Sequence, residues 1–193
     1  MEKMEDIKEV EELVNNSKKG NPFLRFIKEI YPYVIIVVVV LFVKTYVIAP
    51  IQVNGISMDS TLKDGDIMLL NKLQYKRYGV KRGDIVVIKN RGSHIIKRII
   101  GLPGDNIKVE DNILYINGKE YKEDYLDKGT VTNDFSLEEL FDTDKVPEGT
   151  YFVMGDNRDD SLDSRILGFI DEDDIEGIAS ITIFPFDRLG SKE

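Results

Sequence analysis

The chain of 193 residues contains no cysteine, no tryptophan and a single histidine, His94. Without Cys there is no thiol nucleophile, no disulfide and no thiolate metal site, and one His excludes a multi-His metal cage. Cysteine-dependent and zinc-dependent hydrolysis are therefore ruled out, and any chemistry must use Ser, Thr, Lys or carboxylates. Excess positive charge is also lacking. The 26 Lys and Arg face 35 Asp and Glu, for a net charge of −9, and because the first fifty residues are balanced the acid excess lies beyond them. Nucleic acid is not an expected partner. What is present suffices for a buried core: 42% of residues are apolar, with nine Tyr and nine Phe, in a length that allows one sizeable domain or two small ones.

Charge is nearly missing from one stretch. Tyr31 to Ile48 reads YPYVIIVVVVLFVKTYVI, with Lys44 as its one charge. As a helix it reaches roughly 27 Å at about 1.5 Å per residue, close to the ~30 Å of a bilayer core. It is too long for an ordinary buried strand. Tyr31, Tyr33 and Tyr46 flank it at the levels that amphipathic rings prefer, and Lys44 can snorkel to the headgroups. Lys18, Lys19, Arg25 and Lys28 precede the span, whereas the first basic residue after it is Lys63, so the N-terminus is expected on the cytoplasmic side. The predicted organisation is a cytoplasmic tail over 1–29, a single transmembrane helix over 30–49 and an extracytoplasmic β-rich domain over 50–193, localised to the cell membrane. The acidic first fourteen residues read as a short surface helix or a solvated tail. Val47-Ile48-Ala49 has the small-residue pattern of a signal-peptide cleavage site. Pro50 after it reads either as a block to cleavage or as a helix stop.

Beyond Pro50 short β-rich runs alternate with turn signals, the pattern of a mainly β, antiparallel, barrel-like domain. Predicted strands are Ile51–Val53, Ile67–Leu70, Ile85–Ile88, Ser93–Ile100, Ile107–Val109, Ile113–Ile116, Tyr151–Met154 and Ile178–Phe184. Asn117-Gly118 favours a type I′ hairpin turn. A small insertion is expected around 110–148. Its polar part, 121–144, reads as a flap with one helical turn, capped by Ser136 with Glu139 in capping-box position.

Three clusters carry chemistry. Ser57 sits where a strand end runs into a turn, in Val53-Asn54-Gly55-Ile56-Ser57-Met58. Lys97 lies in a strand among Ile95, Ile96, Ile99 and Ile100. The loop Gly155-Asp156-Asn157-Arg158-Asp159-Asp160-Ser161-Leu162-Asp163-Ser164-Arg165 is dense in side chains that pair and hydrogen-bond. Singly these read as a turn cap, a snorkelling lysine and a surface loop. Together they supply a serine hydrolase without His, since a Lys whose pKa is driven down from ~10.4 by an apolar site can take the proton from a serine. His94 is the rival base, but in a strand it lies on the face opposite Lys97.

The boxes Gly55-Ile56-Ser57-Met58 with Thr61-Leu62, Arg82-Gly83-Asp84-Ile85-Val86-Val87, Lys97-Arg98-Ile99-Ile100-Gly101-Leu102-Pro103-Gly104-Asp105 and the Gly155–Arg165 loop follow an apolar span in order. In this the chain resembles the bacterial type I signal peptidases of the Gram-positive form, membrane-bound Ser/Lys endopeptidases. The resemblance implies removal of signal peptides from exported preproteins, with Ser57 as nucleophile and Lys97 as general base. It implies that Ser161 hydrogen-bonds the Lys97 amine, and that Asp163, Arg165 and the pair Asp156 with Arg98 support the site. The Ser57 N–H would serve the oxyanion. Ile51, Val53, Met58, Leu62 and Ile96 would line small pockets for an Ala-x-Ala site. The implied partners are signal peptides and the lipid bilayer, with no cofactor and no metal. Two positions depart from the family: Ser60 stands where a Pro is usual, and Gly55 where one branch has an oxyanion-binding Ser. A membrane-anchored β-domain that binds exported peptides without cutting them is the alternative. Absence of a DNA-binding region argues against a self-cleaving repressor, and Lys97 against the branch with a His base.

Overall fold

The computed structural model describes residues 22–191. The expected surface helix of the first fourteen residues and most of the predicted tail lie outside the described residues. The chain divides into two units, Met1–Lys44 and Thr45–Glu193.

The first is dominated by helix α1, Pro22–Tyr46. Its Phe23–Tyr46 portion is long and apolar enough to cross a membrane, at about 36 Å for 1.5 Å per residue. The residues from Phe23 to Tyr46 are exposed. The helix starts earlier and stops earlier than the predicted 30–49. Its end shifts because Ile48 and Ala49 join a strand: an unbroken apolar run suits helix and buried strand alike.

The second unit is built, in chain order, from β1 (Ile48–Gln52), β2 (Ile67–Asn71), α2 (Lys72–Tyr78), β3 (Ile85–Asn90), β4 (Ser93–Gly101), β5 (Ile107–Glu110), β6 (Ile113–Ile116), β7 (Lys119–Glu120), β8 (Phe135–Ser136), α3 (Leu137–Phe141), β9 (Thr150–Met154), α4 (Ser164–Leu167), β10 (Ile170–Asp171), β11 (Ile175–Phe184) and β12 (Gly190–Ser191). The main sheet runs β1-β2-β11-β3-β4-β9-β10, with β12 on β11, and every pairing is antiparallel. The mainly β, antiparallel reading of the sequence is borne out. Pro50 stands inside β1, opposite Leu69, so it does not stop the helix. A residue with no N–H is tolerated there because β1 is an edge strand.

Both faces of the sheet are covered. Ile85 and Val87 face a core with Met58, Leu62, Met68 and Ile96, whereas Val86 and Ile88 face one with Ile99, Val153, Ile175 and Ile178. This explains why β3 reads as a continuous apolar run. The 121–144 span is tied into the fold: its strand β8 pairs with β5 in a second sheet, β7-β6-β5-β8, and its Phe135 and Leu137 share one core with Ile100, Ile107, Val109, Leu114, Val146, Phe152 and Met154. Local signals within the insertion hold: Asn117 and Gly118 have φ of 53° and 74°, as a type I′ turn requires, and the Ser136–Glu139 capping box is complete. Helix α2 was not predicted, being too short for periodicity to register. Asn71 caps it by accepting the Gln74 N–H.

Two edges matter for function. Among the described residues the outer edge of β1 carries no strand, and the Ser93–Lys97 part of β4 has β3 on one side only, because β9 pairs from Arg98 onward. Between these edges lies a groove of about 550 Å³, lined by Pro50–Asn54, Ser57, Met58 and Ser93–Lys97.

Candidate active site

Ser57 sits in a tight turn after β1. The Thr61 and Leu62 N–H groups both donate to the Met58 carbonyl, at 2.9 and 2.7 Å, and the Asp59 N–H donates to Ile56 at 3.0 Å. Gly55 enters this turn at φ 94°, a conformation that disfavours any Cβ, and its N–H is held by Asp64 Oδ1 at 2.7 Å. The Ser57 carbonyl accepts the Asn157 N–H at 3.1 Å, and Asn157 Nδ2 donates to the neighbouring Ile56 carbonyl at 3.1 Å. The Ser57 N–H itself donates to no backbone carbonyl among the described residues, and Ser57 lines the groove.

Lys97 projects from β4 onto this turn. Its Nζ lies 2.6 Å from Ser57 Oγ and 2.9 Å from the Ile96 carbonyl. The residue is 2% exposed, and burial pushes its pKa from 10.5 down to about 8, against the opposing pull of Asp163 and Asp156. The structure thus supplies a lysine that is substantially neutral in mildly alkaline solution, in contact with a serine hydroxyl. His94 lies apart from the Ser57–Lys97 contact, with its Nε2 3.2 Å from Glu176 Oε1, as strand alternation requires.

Two ion pairs brace the lysine. Arg98, next to it but on the other face, donates Nε and Nη2 to the two Asp156 oxygens at 2.9 and 2.7 Å, and Nη1 to the Gly83 carbonyl at 2.8 Å. Both side chains are at most 1% exposed. Arg165 donates in the same forked way to Asp163, at 2.9 Å each, and Asp163 also accepts the Gly155 N–H at 2.9 Å. Burial pushes the Asp163 carboxyl up, but Arg165, the Gly155 N–H and the nearby Ser161 hydroxyl outweigh it and hold the group below the usual carboxylate range.

Ser161 departs from expectation. Its Oγ is buried near the Asp163 carboxylate without a partner at full hydrogen-bond geometry, and it makes no hydrogen bond to Lys97. Ser161 lies close against Gly155, where an added Cβ would fall 2.2 Å from Ser161 Oγ. Leu62 also differs. It is fully buried in the core beneath the turn, while Ile51, Val53, Met58 and Ile96 do line the groove. Ser60, at the departing position, has a buried Oγ with no partner among the described residues, yet the turn around it is formed.

Sequence reasoning gave no role to three residues. Thr61 donates its hydroxyl to Asp156 Oδ2 at 2.5 Å and accepts Arg98 Nη2 at 3.2 Å. Its spacing of four from Ser57, one helical turn, was the available signal. Tyr125 lays its ring under the Arg98 guanidinium at 3.9 Å, and Glu123 pairs with Arg158. Both come from the polar insertion, where nothing local marks them.

Comparison with known proteins shows the family. Residues 24–184 match the signal peptidase family, peptidase S26. Signal peptidase I of Bacillus licheniformis is 40% identical over 180 residues, covering 90% of this chain and 95% of that one. Signal peptidase I T of Bacillus subtilis is 43% identical over 178 residues, covering 89% and 91%, and signal peptidase IB of Staphylococcus aureus 37%, covering 84% and 93%. A crystal structure of a signal peptidase I from Enterococcus faecalis is 41% identical, covers 52% of this chain and 97% of its own, and superposes with a TM-score of 0.49. With a family match over most of its length and relatives near 40% identity along nearly all of it, the chain belongs to the signal peptidase I family of S26 serine endopeptidases.

Proposed function

We propose that this chain is a membrane-anchored Ser/Lys endopeptidase that removes signal peptides from exported preproteins, with Ser57 as nucleophile and Lys97 as general base. The observation that carries it is the 2.6 Å contact between a buried, pKa-lowered lysine and the serine hydroxyl. With the amine neutral, the Ser57 O–H donates its proton to Nζ as Oγ attacks the substrate carbonyl. The oxyanion takes the Ser57 N–H, a donor type worth about 100- to 1,000-fold in rate. Collapse breaks the C–N bond, and Lys97 returns the proton to the leaving amine. Water then enters and attacks the ester carbonyl as Lys97 accepts its proton, and collapse breaks the C–O bond to Ser57, whose Oγ takes that proton back from Lys97.

The substrate lies extended between the open edges of β1 and β4, adding a strand whose alternate side chains enter pockets. Ile51, Val53, Met58 and Ile96 narrow those pockets, which favours small residues at −1 and −3, the Ala-x-Ala pattern. Helix α1 is the anchor, and the basic residues before it place the N-terminus in the cytoplasm and the catalytic unit outside.

The test is cleavage of a preprotein bearing an Ala-x-Ala site in lipid, comparing wild type with Ser57→Ala and Lys97→Ala. Loss of cleavage in both is expected. Retained cleavage in either overturns its assigned role, and binding without cleavage by the wild type would favour a peptide-binding function.

A further inference from the structure

The catalytic loop is held from an unexpected side. Arg158, in the middle of the Gly155–Arg165 loop, has a side chain that is 0% exposed and a full set of partners. Nε donates to the Gly155 carbonyl at 3.0 Å. Nη1 donates to Glu123 Oε2 at 3.1 Å and to Thr132 Oγ1 at 3.0 Å. Nη2 donates to Glu123 Oε1 and, at 3.3 Å, to the Tyr125 hydroxyl. Three of these partners belong to one segment of the insertion, 123–132, and the Tyr125 hydroxyl donates back to Glu123 at 2.5 Å.

This cluster is contiguous with both ion pairs that brace Lys97. The Arg158 carbonyl accepts Arg165 Nη2 at 2.8 Å, Arg165 grips Asp163, and the Tyr125 ring lies under Arg98. Gly155, to which Arg158 bonds, abuts the Ser57 carbonyl. None of residues 121–132 lines the substrate groove.

We infer that Glu123 is a positioning residue for catalysis: by pairing with buried Arg158 it clamps the Gly155–Arg165 loop, and so sets the Ser57–Lys97 contact without touching substrate. An arginine cannot shed its charge. Removing Glu123 therefore leaves an unpaired buried cation, which the loop relieves by moving. The insertion thereby serves the chemistry as well as the fold. The inference rests on the Ser57/Lys97 reading and extends it.

The experiment uses the full chain in lipid with an Ala-x-Ala preprotein, measuring kcat and KM separately. Glu123→Gln is expected to lower kcat at least tenfold with KM within about twofold of wild type, and Glu123→Asp, which keeps the charge, to recover at least half of the lost rate. Wild-type kcat in Glu123→Gln overturns the proposal. So does a parallel change in kcat and KM, or failure of Glu123→Asp to recover. Should Glu123→Gln not fold, the double variant Tyr125→Phe/Thr132→Val, which removes two hydroxyl partners of Arg158 and keeps the charge pair, decides: a fall in kcat of severalfold at constant KM supports the clamp, and unchanged kcat overturns it. Ser57→Ala separates the two readings. If Ser57→Ala still cuts, the dyad is wrong, whereas an inactive Ser57→Ala beside a fully active Glu123→Gln removes the clamp alone.

Discussion

A side chain at Gly155 has nowhere to go beside Ser57: a Cβ built there lies 2.4 Å from the Ser57 carbonyl oxygen and 2.2 Å from Ser161 Oγ. The close approach lets the 155–165 loop hydrogen-bond directly to the Ser57 turn through Asn157. Because one of the clashing atoms is backbone, Gly155→Ala must push the loop and the turn apart. We predict a loss of kcat of at least 100-fold with destabilisation of about 1–3 kcal/mol, the usual cost of overpacking, measured by cleavage assay and denaturant titration.

The proposed role of Lys97 as base links activity to pH. Its amine must be neutral to accept the Ser57 proton, so kcat/KM should rise about tenfold per pH unit at low pH and level off near pH 8. A flat profile between pH 6 and 9 would sink the assignment of Lys97 as base.

The same lysine should cost stability at neutral pH. Its folded pKa lies below its unfolded value, so the folded state binds fewer protons between about 8 and 10.5. The penalty is therefore fully present below pH 8 and disappears as pH rises through 10.5, and its size is about 3 kcal/mol at ~1.4 kcal/mol per unit. Lys97→Met is predicted to be inactive yet more stable than wild type at pH 7, with the difference shrinking above pH 9. Equal or lower stability at pH 7 would contradict the burial cost.

Arg98 and Asp156 form a buried forked pair completed by Thr61 and Tyr125. Removing one member strands the other, so Asp156→Ala should cost about 3–5 kcal/mol. Thr61→Val removes a hydroxyl that both partners use and should cost about 1–3 kcal/mol. Chemical denaturation of the two variants tests the order.

Ser60 holds a buried hydroxyl without a partner among the described residues, and its N–H donates to no backbone carbonyl among them. Ser60→Pro therefore removes an orphaned polar group and restricts the unfolded chain. A gain of about 0.5–2 kcal/mol with activity kept is expected, and a fall in melting temperature would count against it.

Much was legible in the sequence because the signals were local. The strands after residue 60 announce themselves by β-branched runs between glycine turns, the Asn117-Gly118 hairpin and the Ser136 capping box by residue type, and the opposition of His94 and Lys97 by strand alternation. The apolar run fixed a helix but not its end, since Ile48 and Ala49 suit helix and strand equally.

Chemistry assembled across distance was less accessible. The sequence by itself determined that no thiol or multi-His metal cage is available, that an apolar run precedes a β-rich unit, and that Ser57, Lys97 and a polar loop are the candidates for chemistry. Only the tertiary structure decided that Lys97 is buried against Ser57, that Leu62 serves the core and not the groove, and that Ser161 makes no hydrogen bond to Lys97. It also decided that the insertion reaches Arg98 and Arg158 through Tyr125 and Glu123. Burial and ion pairing depend on which segments pack together, and residues 35 apart, such as Glu123 and Arg158, carry no local pattern that records their contact.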